Sequence, residues 1–313
     1  VNKAIESINH SEMISIGGIK QYIQISSNDI NNPIILFLHG GPGFAQSSFA
    51  NQYQDKLMEH FVVVNWDQRG SGKSYSDDIP KETMNIEQFI SDTDEIVNYL
   101  LEKFNRRKIY LVGHSWGSIL GLITTERYPE KFYAYIGIGQ VIDNEQGEKI
   151  SYEFILNEAR KLDNLKAISE IMNIGYPPYN NINDISIERK WVTNFGGSFR
   201  KVNVYKALEE SLDEDAYKHH QKGTVFSVVN LLPELMKMNF FESIKEIKVP
   251  VYFCMGRYDY HTPSQLVEEY IKVLKVPKKE LIWFEESAHN PNFEESDKFA
   301  NVLIKIKNET YKD

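Results

Sequence analysis

"GHSWGS", residues 113–118, stands between the apolar run KIYLV (108–112) and ILGLITTERYPE (119–130), whose apolar residues recur at helical spacing. Its first five residues, Gly113-His114-Ser115-Trp116-Gly117, match G-x-S-x-G. In that pattern, small neighbours let the backbone turn sharply from strand to helix and lift a serine hydroxyl above a sheet. A strand before and a helix after are the context the pattern requires, so Ser115 is expected to be a presented nucleophile rather than a turn residue.

Working outward, short apolar runs without alternation recur at 33–40 (PIILFLHG), 61–67 (FVVVNWD), 132–139 (FYAYIGIG), 250–256 (PVYFCMG) and 280–287 (ELIWFEES). Such runs are expected of buried parallel strands. MISIGGIKQYIQIS (13–26), alternating around Gly17-Gly18, predicts a hairpin ahead of them. Helical patterns lie between or after the strands, as in NIEQFISDTDEIVNYLLEKF (85–104), SQLVEEYIKVLKV (264–276) and DKFANVLIKIKNE (297–309). The alternation predicts a doubly wound α/β sheet. From about residue 141 to 245 only helix-like segments occur, broken by the loop GYPPYNNIND (175–184). The expected division is a core of residues 1–140 and 246–313, with 141–245 inserted as a helical cap over the crevice where α/β sheets bind ligands.

Composition narrows the function. The chain has 313 residues, 42% hydrophobic and 25% charged, with a formal net charge of −9 and no Lys/Arg block, so the electrostatic footprint of a nucleic-acid binder is missing. Cys254 is the single cysteine, which excludes an intrachain disulfide and a cysteine metal site. No apolar stretch approaches the ~20 residues that span a bilayer. The polar opening VNKAIESINHSE is unlike a signal peptide, and a cytoplasmic protein is expected, although Val1 leaves open a leader removed upstream.

A nucleophilic serine needs a base, and the base needs a group that fixes its tautomer. Asp259, in GRYDYHTP, and His289, in SAHNPNF, follow the last two predicted strands and complete the chain order Ser, Asp, His. His261 competes for the role of base but lies only two residues from Asp259 on the same loop. HGGPG (39–43) follows another strand, where glycines allow backbone amides to approach a developing oxyanion; Gly41 and Trp116 are the expected donors. His39 is expected to hold that loop by hydrogen bonds. DQRGSGKS (67–74) has Asp67 where a phosphate loop needs glycine, so it reads as structural, with Arg69 bracing the floor of the site. Adjacent His219 and His220 diverge on a helix and no H-E-x-x-H occurs; neither metal nor cofactor is expected.

HGGPG, VNWDQRGSGKS, GHSWGS, GRYD and SAHNP together resemble the proline iminopeptidase (prolyl aminopeptidase) family of α/β-hydrolase serine peptidases. The resemblance implies a mostly parallel eight-stranded sheet with a helical cap, a Ser115–Asp259–His289 triad, and an oxyanion hole of Gly41 and Trp116. It also implies cap glutamates that bind the free ammonium of a short peptide, with N-terminal proline as one candidate. The position after Asp259, acidic in some members, is Tyr260 here, and Glu145, Glu148, Glu153, Glu188, Glu209 and Glu210 are all open as cap carboxylates. A carboxylesterase or lactonase sharing the same machinery is the alternative. Dehalogenases and epoxide hydrolases, which carry aspartate at the nucleophile position, are excluded by Ser115.

Overall fold

The apolar runs pair into one eight-stranded sheet in the computed structural model, which describes residues 5–312. The strands are β1 (Ile8–Ile16), β2 (Ile19–Ser27), β3 (Ile34–Leu38), β4 (Val62–Asp67), β5 (Ile109–His114), β6 (Phe132–Ile138), β7 (Val251–Gly256) and β8 (Lys279–Phe284). Their spatial order is β1-β2-β4-β3-β5-β6-β7-β8. β1 and β2 form the expected hairpin, turning through Gly17 and Gly18 at φ 56° and 79°, a conformation that favours glycine. β2 meets β4 antiparallel, and every later pairing is parallel.

β4, β5 and β7 are buried along their whole length, as their unalternating sequences require. β8 differs from the expectation of a buried strand. It is an edge strand paired on one side only, and Phe284 is its one fully buried residue.

Helices of eight residues or more are numbered here. Those packed with the sheet are α1 (Ile86–Lys103) and α2 (Trp116–Arg127) and, late in the chain, α8 (Ser264–Val273) and α9 (Ser296–Thr310). Between β6 and β7 lie α3 (Asn144–Lys161), α4 (Leu165–Ile174), α5 (Ile182–Asn194), α6 (Val204–Ser211) and α7 (Glu214–Leu235). All five begin at a side-chain cap: Asp143, Asn164, Asn181, Asn203 and Asp213 each accept a first-turn backbone N–H, worth about 1 kcal/mol apiece. SYEFILNEARKLDNLKAISEIM (151–172), a helix-like stretch in the sequence, is split between α3 and α4, because Asp163 adopts φ 49° and Asn164 starts a new helix.

One face of the sheet packs with α1, α2 and α8 and the other with α9 through Phe299, Leu303 and Ile306. α3, α4 and α5 have a small core of their own, built from Tyr152, Ile155, Leu156, Ala167, Ile171 and Trp191, while Leu231 of α7 joins the core of the sheet. α6 instead docks on the sheet domain, where Val204 and Leu208 meet Phe49 and Phe293. No helix among the described residues is long and apolar enough to cross a membrane.

Candidate active site

The end of β5 runs into α2 through Ser115, which adopts φ 54° and ψ −118°. For a residue with a Cβ this conformation costs roughly 1–3 kcal/mol and persists only where the surroundings enforce it. Two glycines enforce it here. A Cβ on Gly117 would run into the Leu38 carbonyl oxygen, and one on Gly113 would strike the first turn of α2 at Ser118 Cα, 2.7 Å away. Ser115 N–H donates to Ile138 O (3.0 Å) and Ser118 N–H donates to Ser115 O (2.8 Å), so the elbow is tied to β6 and α2.

Asp259 and His289 emerge from the ends of β7 and β8 and meet: His289 Nδ1 lies 2.9 Å from Asp259 Oδ2. Asp259 also accepts from His261 N–H (3.0 Å), Thr262 N–H (2.9 Å) and the Thr262 hydroxyl (3.1 Å), leaving the carboxylate little freedom to turn. The backbone of His289 is held on both sides, donating to Ser198 O (3.0 Å) and accepting from His114 Nε2 (2.8 Å). His261 does not reach the Asp259 carboxylate with its ring. It stacks flat on His289 and pairs through Nδ1 with the Ser198 hydroxyl at 3.2 Å.

Ser115 and His289 line one cavity of about 350 Å³, roofed by α5, α6 and α7. Their side chains are not hydrogen-bonded to each other among the described residues; such contacts tighten when substrate is bound. Gly41 and Trp116 border the same space. Trp116 opens α2, where the first N–H groups have no intrahelical acceptor, and Gly41 stands at φ 116° in the loop facing it.

His39 stays out of the cavity. Its Nδ1 donates to Gly40 O (2.8 Å) and its Nε2 accepts the Gln68 N–H (3.1 Å), while burial pulls its pKa down to about 3. Gln68 returns a bond to His39 O (3.0 Å) and accepts from Trp116 Nε1 (2.9 Å), so it braces the 39–43 loop against α2. Arg69, expected beneath the site, is turned away from it. Fully buried, it pairs with Asp92 (2.8 Å) and donates to Gly17 O (2.7 Å) and Thr83 Oγ1 (3.1 Å), fastening the hairpin to α1.

The cap carboxylates divide sharply. Glu145, Glu153, Glu209 and Glu210 are not buried, whereas Glu148 and Glu188 are 2% and 0% exposed. Arg189 bridges these two, and one oxygen of each, Glu148 Oε2 and Glu188 Oε1, has no hydrogen-bond partner among the described residues while both carboxyls are ionised. Burial, and the Glu148 charge beside it, push the Glu188 carboxyl well above its ordinary range. Glu148 and Arg189 reach the cavity wall. The pair was partly legible, because Glu188 precedes Trp191 and Val192 by three and four residues on the buried face of α5. The segment 197–201, between α5 and α6, has no sequence motif, yet it is stitched to the loops that bear Asp259 and His289. Tyr260 N–H donates to Gly197 O (3.0 Å), and Glu294 accepts the N–H groups of Arg200 (2.7 Å) and Lys201 (2.6 Å).

Comparison with known proteins agrees with this architecture. Residues 33–296 match the model of the family described as alpha/beta hydrolase fold. The chain is 39% identical over 307 residues to "Probable aminopeptidase YbaC" of Bacillus subtilis (strain 168), covering 95% of this chain and 96% of that one. It is 26% identical over 302 residues to "Proline iminopeptidase" of Clostridioides difficile (strain 630), covering 91% and 94%. Among solved structures, the proline iminopeptidase of Mycobacterium smegmatis superposes with a TM-score of 0.72 at 16% identity, covering 96% of this chain and 98% of that one. The chain belongs to the α/β-hydrolase fold family, as a hydrolase whose relatives include proteins named aminopeptidase and proline iminopeptidase.

Proposed function

We propose that this hydrolase is an aminopeptidase that releases the N-terminal residue of short peptides through an acyl-enzyme on Ser115. The observation that carries the reading is Glu148, a buried carboxylate on the wall of the Ser115 cavity whose Oε2 lacks a partner. A buried acceptor without a donor is costly. A substrate ammonium supplies a donor. Arg189 contacts both carboxylates, and with the Glu188 carboxyl pushed toward its neutral form it is Glu148 that faces the ammonium.

In the acylation half, Ser115 Oγ attacks the scissile carbonyl as its proton passes to His289 Nε2. Asp259 holds the opposite nitrogen in the protonated tautomer. The amides of Gly41 and Trp116 receive the charge that develops on the carbonyl oxygen. His289 then gives the proton to the leaving amine, the C–N bond breaks, and water repeats the route to free the amino acid and restore Ser115. The relatives' names, aminopeptidase and proline iminopeptidase, point the same way.

Acetylation of the substrate amine is the test. Removing one partner of a desolvated charge pair costs about 2–5 kcal/mol, so kcat/KM for an aminoacyl arylamide should fall roughly 30-fold to several thousand-fold on N-acetylation. Equal turnover of free and acetylated substrates, with short acyl esters or lactones cleaved faster than either, favours the carboxylesterase or lactonase instead.

A further inference from the structure

The cavity above Ser115 is far more apolar than an ammonium and a peptide bond require. α7 presents Val228, Leu232 and Leu235 to it, spaced four and three residues apart on one helical face, and Met236 follows. All four are only half-buried, since the cavity takes the place of packing partners. Opposite them stand Ile119, one turn beyond Ser115 on α2, and Val141, whose N–H donates to Ser118 Oγ (3.0 Å).

This wall lines the same cavity as Ser115 and Glu148. Asn144 Nδ2 lies 3.2 Å from Met236 Sδ, and Asn144 sits one turn before Glu148 on α3. Ile119 and Val141 tie the other end to the elbow that holds Ser115. In an N-terminal residue the amine nitrogen and the scissile carbon are two bonds apart, so a residue held at both Glu148 and Ser115 carries its side chain beside Ile119, Val141 and the α7 face.

We infer that the Ile119–Val141–Leu232–Leu235 wall is a pocket for the side chain of the acyl residue, and that the enzyme prefers a long aliphatic or aromatic residue there over proline, alanine or glycine. The ammonium anchor rests on the function proposed above; the apolar pocket does not. Val228, Leu232 and Leu235 line the cavity over two turns of α7, a longer apolar wall than a pyrrolidine ring covers. Each methylene that moves from water onto the wall is worth about fourfold in binding.

The test is a matched series of Gly, Ala, Pro, Leu and Phe anilides, alongside p-nitrophenyl acetate and hexanoate, against the wild type and Leu232→Trp. Leu and Phe anilides should exceed Ala by at least tenfold in kcat/KM. Leu232→Trp should abolish that margin, lowering kcat/KM for the Leu and Phe anilides at least tenfold more than for Ala. Val228→Phe, one turn earlier on the same face, should act in the same direction if the tryptophan variant does not fold. If no anilide is cleaved but hexanoate is preferred to acetate and Leu232→Trp removes the preference, the pocket stands and the aminopeptidase reading falls. If anilides are cleaved without regard to side chain, or both variants slow every substrate equally, the pocket is refuted.

Discussion

The imidazole of His261 lies parallel to that of His289, ring centroids 4.3 Å apart and planes within 12°, yet only His289 touches the Asp259 carboxylate through its ring. The two histidines come from different loops, after β7 and after β8, and only His289 has the partner that fixes a base's tautomer. Burial also pulls the His261 pKa well below its ordinary value, so it packs against the triad as a neutral ring.

His289→Ala should lower kcat by on the order of 10⁴–10⁶, because triad members act as a unit. His261→Ala removes a stacking neighbour and should cost no more than about tenfold. Steady-state kinetics on the two purified variants decide it; the reverse order of severity would exchange their roles.

Glu294 joins the loop that bears His289 to the cap, accepting from Ala288 N–H (3.2 Å) as well as from Arg200 and Lys201. Glu294→Ala strands the three N–H donors that its carboxylate accepts from and should destabilise the fold by roughly 3 kcal/mol. Glu294→Gln keeps an oxygen for the cap amides and should lose less. Urea unfolding of the three proteins provides the comparison, and equal midpoints would show that the latch contributes nothing.

Buried neutral histidines make stability depend on pH. The His39 pKa is pulled from 6.5 to about 3 by burial, so between those values the unfolded chain binds a proton that the folded one does not, and stability falls as pH falls. From pH 7 to 5 this one residue accounts for about 2 kcal/mol of lost stability. Asp67, pushed up to about 6 by burial, works in the opposite sense below pH 6 and is common to both proteins compared. His39→Gln should therefore lose about 2 kcal/mol less than wild type over that interval. An unchanged difference between pH 7 and 5 would contradict the neutral, buried His39.

What the sequence revealed follows from physical range. Ser115, Asp259 and His289 sit at strand ends, where a period change from strand to helix or loop marks the position and the chemistry limits the residue type. The hairpin at Gly17-Gly18 is likewise local. Arg69 was misjudged because its partners, Asp92, Thr83 and Gly17, are brought to it only by the fold. The latch at Glu294 and the choice of Glu148 and Glu188 among six cap glutamates have the same origin. Those roles depend on which surfaces are buried between segments far apart in the chain.

The most direct measurement is on Ser115 itself. In the proposed mechanism Ser115 Oγ carries the acyl group, and Ser115→Ala removes it while leaving the Asp259–His289 pair and the elbow glycines in place. Against the best anilide or ester from the panel, kcat should fall by on the order of 10⁴–10⁶ with the urea midpoint nearly unchanged. Acid-quenched wild type should yield an acylated peptide containing Ser115. A folded Ser115→Ala protein within tenfold of wild-type activity, or an acyl group mapped to any other residue, would contradict the account.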